Sequence, residues 1–135
     1  MATLVLTNAF ISVGGTTLSD RANSVTLNYE NDSIEITAFG DTGHKFTGGL
    51  QNNSCEIAFM QDFASLNVEA TLYPLVGTTT TVIIKPNGSV TGATNPAYTL
   101  TGAYLASHTP VAGAVGELAM TSVTFTGGTL AKAVS

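Results

Sequence analysis

Charged side chains are scarce in this sequence: they make up 10% of its 135 residues, where an ordinary soluble domain carries about a quarter. A domain that meets water on every side needs a charged skin. Two readings follow, a small β protein kept in solution by Thr, Ser and Asn, or a subunit whose surface is largely covered by partners; the second is preferred. Basic residues are scarcer still, with four Lys and Arg against nine Asp and Glu and a net charge of −5. Eight of the nine acids lie between Asp20 and Glu69, leaving only Glu117 in the second half. Such a balance excludes a basic patch that grips phosphates. It suits a surface along which DNA slides without sticking.

Tryptophan is absent and cysteine occurs once. Without Trp, a carbohydrate-stacking platform would rest on Tyr73, Tyr98 and Tyr104, which at strand or helix spacing read better as core. Cys55 has no partner for an internal disulfide and falls on the apolar face of an alternating run, so it reads as a core residue rather than a nucleophile. No window approaches the roughly 18 apolar residues of a membrane span. The start, MATLVLTNAF, lacks the basic residues and long apolar run of a signal peptide. Synthesis in a reducing cytoplasm and no membrane partner are expected.

The length suits one domain over residues 1–135, and 44% hydrophobic content is enough for a core. Two alternating runs dominate the pattern, at 33–39 with Ile34, Ile36 and Ala38 on one face, and at 54–60 with Cys55, Ile57 and Phe59 on one face. Between them, residues 39–53 form a connection far longer than a tight hairpin needs. It is rich in glycine yet carries Phe46 and Leu50, which a disordered loop would not need, so it reads as an arm that docks on something.

Further strands are expected at 3–6, 10–13, 24–30, 78–85, 97–106 and 119–126. Residues 16–23 form a polar turn anchored by Leu18, with one helical turn opened by Ser19 or Asp20. The 24–30 strand, with Val25, Leu27 and Tyr29 inward, is expected to pair with 33–39 as a hairpin through Asn31 and Asp32. Tyr98, Leu100 and Tyr104 should share a face. One helix is expected over about 62–76, capped by Asp62 or Ser65, ended by Pro74 and left through Gly77. Its wide apolar surface calls for cover either from its own sheet alone or from a neighbouring subunit as well. The tail after Gly127 and Gly128 reads as a short terminal arm. About eight strands and one helix give a mainly β fold, an antiparallel β-sandwich or partly open barrel with the helix on its flank. Strands so poor in charge aggregate unless their edges are covered, and a ring of identical subunits would cover them.

Convergent titratable groups are missing, so no catalytic residue, cofactor site or metal site is expected. Asp41 and His44 lie close together, but two unlike ligands without a third do not fix a metal. The glycine clusters lack the Gly-Lys-Ser/Thr ending of a phosphate loop and open no helix.

The run SVTLNYENDSIEITAFGDTGHKFTGGLQNNSCEIAFMQDF from Ser24 resembles the major tail tube proteins of long-tailed, siphovirus-like bacteriophages. The matching features are a strand ending in a polar turn, an I-E-I-T-A strand, G-D-T, a basic and an aromatic residue, G-G-L, and a strand ending in Gln-Asp before a helix. EATLYPLVGTTTTVIIKP fits the family's helix followed by a strong strand, and together these cover about half the chain. The resemblance implies a virion subunit that forms hexameric rings, stacked with other copies and joined to other tail proteins into a hollow tube. The genome passes through it without specific binding. It also implies that the 39–53 arm reaches the adjacent ring, through Phe39, Phe46 and Leu50 as anchors and Asp41, His44 and Lys45 as polar contacts. Glu30, Asp32 and Glu35 become candidates for the lumen. The rival readings are a capsid-decorating or head–tail joining protein and, from another class, a glycan- or host-binding module using Tyr98 and Tyr104.

Overall fold

The computed structural model describes residues 8–63, 68–93 and 95–134. Strands β1 (Phe10–Val13) and β2 (Thr16–Thr17) lead through a 3₁₀ turn at Ser19–Arg21 into β3 (Ala22–Asn28). Then come β4 (Asn31–Glu35), β5 (Phe46–Gln51), β6 (Ser54–Met60), the helix α1 (Val68–Leu72) with a 3₁₀ turn at Tyr73–Leu75, and β7 (Thr79–Lys85). The chain closes with β8 (Ala97–Leu105), β9 (Met120–Thr126) and β10 (Thr129–Ala133). All strand pairs are antiparallel, and the main sheet runs β2-β1-β7-β8-β9-β6-β3 without closing, with β10 also on β8. This is the mainly β, open antiparallel architecture that the alternation predicts.

Strand β8 belongs to two layers. Its first half pairs with β10, from Ala97 to Thr101, and its end pairs with β9, at Tyr104 and Leu105. The inward side chains of β1, β7 and the first half of β8, namely Ile11, Val13, Val82, Ile84 and Leu100, share one buried cluster with Cys55, Ile57 and Phe59 of β6 and Val123 and Phe125 of β9. Removing Phe59 or Phe125 from water contributes about 1.5–3 kcal/mol each. Leu18, fully buried, pins the first 3₁₀ turn to this cluster, and Ser19 holds the β1 backbone by accepting from Ile11 N at 2.8 Å. The polar turn and its helical residues thus lie where the sequence places them. Cys55 is buried, as its position in the alternation requires, and burial pushes its thiol up to about 12.

Several expectations need correction. Strands β3 and β4 do not pair: β3 lies against β6, while β4 leaves the sheet and, among the described residues, pairs with β5 alone. Ile34 and Ile36 are therefore half exposed, at 52% and 53%, instead of lining the core, and Tyr29, beyond the end of β3, is exposed too. Six residues of the expected loop, Phe46–Gln51, are a strand, so the 39–53 arm is the tip and far limb of a hairpin rooted at Asn31. Among the described residues, regular helix occupies Val68–Leu72. Gln61 N bonds to Ala119 O, a loop contact, and Asp62 pairs with Arg21, while the helix start that an Asp62 cap would serve lies outside the described residues. Pro74 has no amide to donate, and the last turn tightens to 3₁₀. The expected Ser65 cap and Leu66, and the expected strand at 3–6, lie outside the described residues. Tyr98 and Tyr104 face opposite sides: Gly102 adopts φ +80, the pairing with β7 slips between Thr80 and Val82, and the inward set changes from Leu100 to Ala103 and Leu105. The tail is not an arm but β10, paired with β8 through five residues.

Candidate functional site

The β4–β5 ribbon is the part of the molecule that its own fold does not explain. A two-stranded hairpin alone is marginally stable in water, and every residue of β4 is exposed. Its register, Ile34 opposite Thr47 and Glu35 opposite Phe46, sorts the side chains by the two-residue period. Ile34 and Ile36 fall on one face and Phe46 on the other; the register slips between the Ser33–Gly48 and Asn31–Gln51 pairs, so the period does not extend to Leu50. Both faces are apolar and open, Phe46 at 61% and Leu50 at 80%, and Phe39 projects fully from the tip. Gly49 leaves room for Ile34: a Cβ there would lie 3.0 Å from Ile34 Cδ1.

The tip is held by polar contacts rather than by packing. Ala38 N donates to Asp41 Oδ2 at 2.7 Å, Lys45 Nζ lies 3.0 Å from Asp41 Oδ1, and Lys45 N donates to Thr37 Oγ1 at 2.9 Å. The Ala38 amide first, and Lys45 second, hold the Asp41 carboxyl below its usual range. Glu35 Oε2 lies 2.6 Å from His44 Nδ1 and accepts from Thr37 Oγ1 at 2.9 Å. Thus Asp41 and His44, adjacent in sequence, serve two separate pairs. Among the described residues no three His, Cys, Asp or Glu side chains gather as metal ligands, and no helix is long and apolar enough to cross a membrane.

The ribbon's root is held by buried hydrogen bonds that the sequence did not advertise. Asn53, 1% exposed, accepts from Glu30 N at 3.3 Å and donates to Gln51 Oε1 at 2.9 Å and Gly128 O at 3.2 Å. Gln51 Oε1 also accepts from Leu130 N at 3.1 Å. The ribbon is thereby tied to β10 and to the β9–β10 turn. The only sequence signal was a polar residue, Asn53, abutting an apolar alternation. Of the lumen candidates, Glu30 lies at this root, while Asp32 and Glu35 lie on β4; all three are exposed.

Two further surfaces are distinctive. The connection from β8 to β9 exposes Val111, Val115 and Leu118. The outward face of β3–β6–β9, which was not singled out from the sequence, is ordered in cross-strand rows: Ser24, Ala58 and Ser122, then Thr26, Glu56 and Thr124, then Asn28, Ser54 and Thr126. Its one internal side-chain bond is Asn28 Nδ2 to Ser54 Oγ at 3.2 Å.

No protein-family model matches the sequence, and no curated protein matches it. Solved structures do match. A chain of the PVC sheath–tube complex, from an extracellular contractile injection system in its extended state, superposes with a TM-score of 0.72 at 14% identity, over 98% of this chain and 93% of that one. A chain of the PVC sheath/tube terminator gives 0.73 at 13%, over 98% and 97%. A chain of a native gene transfer agent virion gives 0.71 at 12%, over 94% and 96%. The fold established here is therefore one that this chain shares, nearly end to end, with chains from phage-like tail and injection assemblies, contractile ones included.

Proposed function

We propose that this chain is a non-catalytic structural subunit of a phage-like tail, acting as a single domain that forms hexameric rings stacked into a hollow tube for the passage of a genome. The observation that carries the reading is the ribbon: a hairpin with apolar side chains on both faces, rooted by buried hydrogen bonds and left exposed by the described residues of its own subunit. Burying Phe46 or Leu50 against another molecule yields about 1.5–3 kcal/mol per side chain, and two open faces call for contact on both sides. Phe39, Phe46 and Leu50 then anchor the ribbon on an adjacent ring, with Asp41, His44 and Lys45 as its polar contacts. Glu35, already committed to His44, belongs with that contact, while Glu30 and Asp32 remain acids open to the bore. The near-complete superposition on chains of a sheath–tube complex and of a sheath/tube terminator supports this. Because contractile systems are among them, the fold does not select the siphovirus-like tail that the sequence resembles.

A second reading is a ring that terminates a tube, favoured by the equal likeness to a chain of a sheath/tube terminator. Negative-stain electron microscopy of the concentrated protein tests both. Extended hollow stacks support the tube subunit, and isolated closed rings that do not stack support the terminator. A monomer at every concentration, alone and with the tail-initiating proteins of its particle, overturns both.

A further inference from the structure

We propose that residues 2–7 of this chain lie in the apolar groove between β3 and β10 of their own subunit and close the seam of the sheet there. The inference does not depend on the tube reading. The groove has a volume of about 440 Å³, with walls supplied by Val25 and Leu27 of β3, Ile84 of β7, Tyr98 of β8 and Leu130 of β10. It is far larger than the space of about 30 Å³ that one water takes, and apolar walls offer water no partners. Val25, Leu27 and Leu130 pack against the core cluster yet stay half-buried. They belong to the strands at the two open edges: among the described residues β3 pairs with β6 alone and β10 with β8 alone. Two open edges that flank one apolar groove invite a strand.

Three observations choose the occupant. The first is where the described chain begins: Asn8 is bridged to Asn87 beyond the end of β7, and Ala9 itself lines the groove together with Val25, so residues 2–7 join the fold at the groove. The second is length. From Val25 to Tyr29, which also lines the groove, is four residue steps, about 13 Å of strand, and six extended residues span about 20 Å. The third is chemistry. Residues 2–7 read ATLVLT, uncharged, with Ala2, Leu4 and Leu6 on one face when extended. Among the described residues the one charge in the groove wall is Lys85, which is turned to Ser89 O at 3.0 Å and lies over the Phe10 ring. A neutral, alternating strand is what such walls accept, and its docking keeps the two edges from pairing with other copies.

Photo-crosslinking of unassembled subunits tests this. p-Benzoylphenylalanine replaces Leu4 or Leu6 in the full chain, and equal amounts of unlabelled and heavy-isotope-labelled copies are mixed, irradiated and digested for mass spectrometry. Cross-links should join the segment to peptides from 22–30 or 129–133, and both peptides of a pair should carry the same label. Pairs of unlike label would place the segment on a second copy, and cross-links to other peptides, or none, would leave the groove to another occupant such as a small apolar ligand; each of these results overturns the inference. Leu4→Ser with Leu6→Ser keeps the test decisive where the bulky ketone does not fit. In that variant the amides of residues 25–28 and 130–133 should exchange with solvent about tenfold faster or more, while those of β9 stay as they were. Unchanged exchange in both strands overturns the inference as well.

Discussion

The buried side-chain amide of Asn53 donates to Gln51 Oε1 at 2.9 Å, and that same oxygen accepts the backbone amide of Leu130 at 3.1 Å. One side-chain carbonyl therefore joins the ribbon's root to the last strand. Asn53→Ala removes the acceptor for Glu30 N and the donor to Gly128 O, and leaving buried groups unpaired costs about 1–3 kcal/mol each. Urea denaturation should show a loss of that order, and hydrogen exchange should show faster exchange at Glu30 and Asn52 before the β6 amides change. An unchanged urea midpoint would remove Asn53 from this role.

The ribbon's apolar side chains should matter for assembly and not for folding. Ile34→Ser with Ile36→Ser on the near limb, or Phe46→Ser with Leu50→Ser on the far limb, alters only exposed positions. Either pair should shift stability by no more than about 1 kcal/mol while abolishing ring stacking seen by electron microscopy. Normal stacks from both variants would leave the ribbon without its proposed partner.

Gly128 is the glycine least open to replacement. It adopts φ +85, and a Cβ there would overlap the Thr101 carbonyl oxygen at the point where β10 turns back onto β8. Gly128→Ala should cost about 1–3 kcal/mol from the backbone conformation alone, with the overlap added. Gly116→Ala, at φ +84 but with open space around it, should cost less. Equal losses in thermal melts of the two variants would mean that crowding plays no part.

His108 makes stability depend on pH. Its Nδ1 lies 3.3 Å from Thr121 Oγ1 and its Nε2 is buried without a partner among the described residues. Burial lowers its value from 6.5, against an opposing pull from Glu69. Between the lowered value and 6.5 the unfolded chain binds a proton that the folded chain does not. The neutral ring's contribution is thus complete above 6.5 and declines as the pH falls through that value. Urea midpoints compared at about pH 7.5 and about pH 5.5 should fall less in His108→Gln than in the unsubstituted chain. An identical fall in both would assign the acid sensitivity to other groups.

The alternation of Cys55, Ile57 and Phe59 was legible because a two-residue period needs only local information. The same holds for β7, for the Leu18 anchor and for the exit at Gly77. The pairing of β3 with β6 was not legible, since it brings together residues about thirty positions apart, and neither strand's pattern names its partner. Gly102 hid a register change: one left-handed residue inverts the inward set of β8, and composition cannot tell such a glycine from a tolerated one.

The sequence by itself determined that this is a β-rich chain poor in charge, with alternating apolar faces and apolar side chains in the connection between two of them. Those properties follow from composition and short-range period, which survive any arrangement of the strands. Only the tertiary structure decided which apolar faces are satisfied within the subunit. Ile34 and Ile57 carry the same local signature, yet Ile57 closes against Val123 in the core while Ile34 stands on a ribbon facing outward. The reason is physical: a period records that a face seeks cover, and the fold alone settles whether the cover comes from the chain itself or from another molecule.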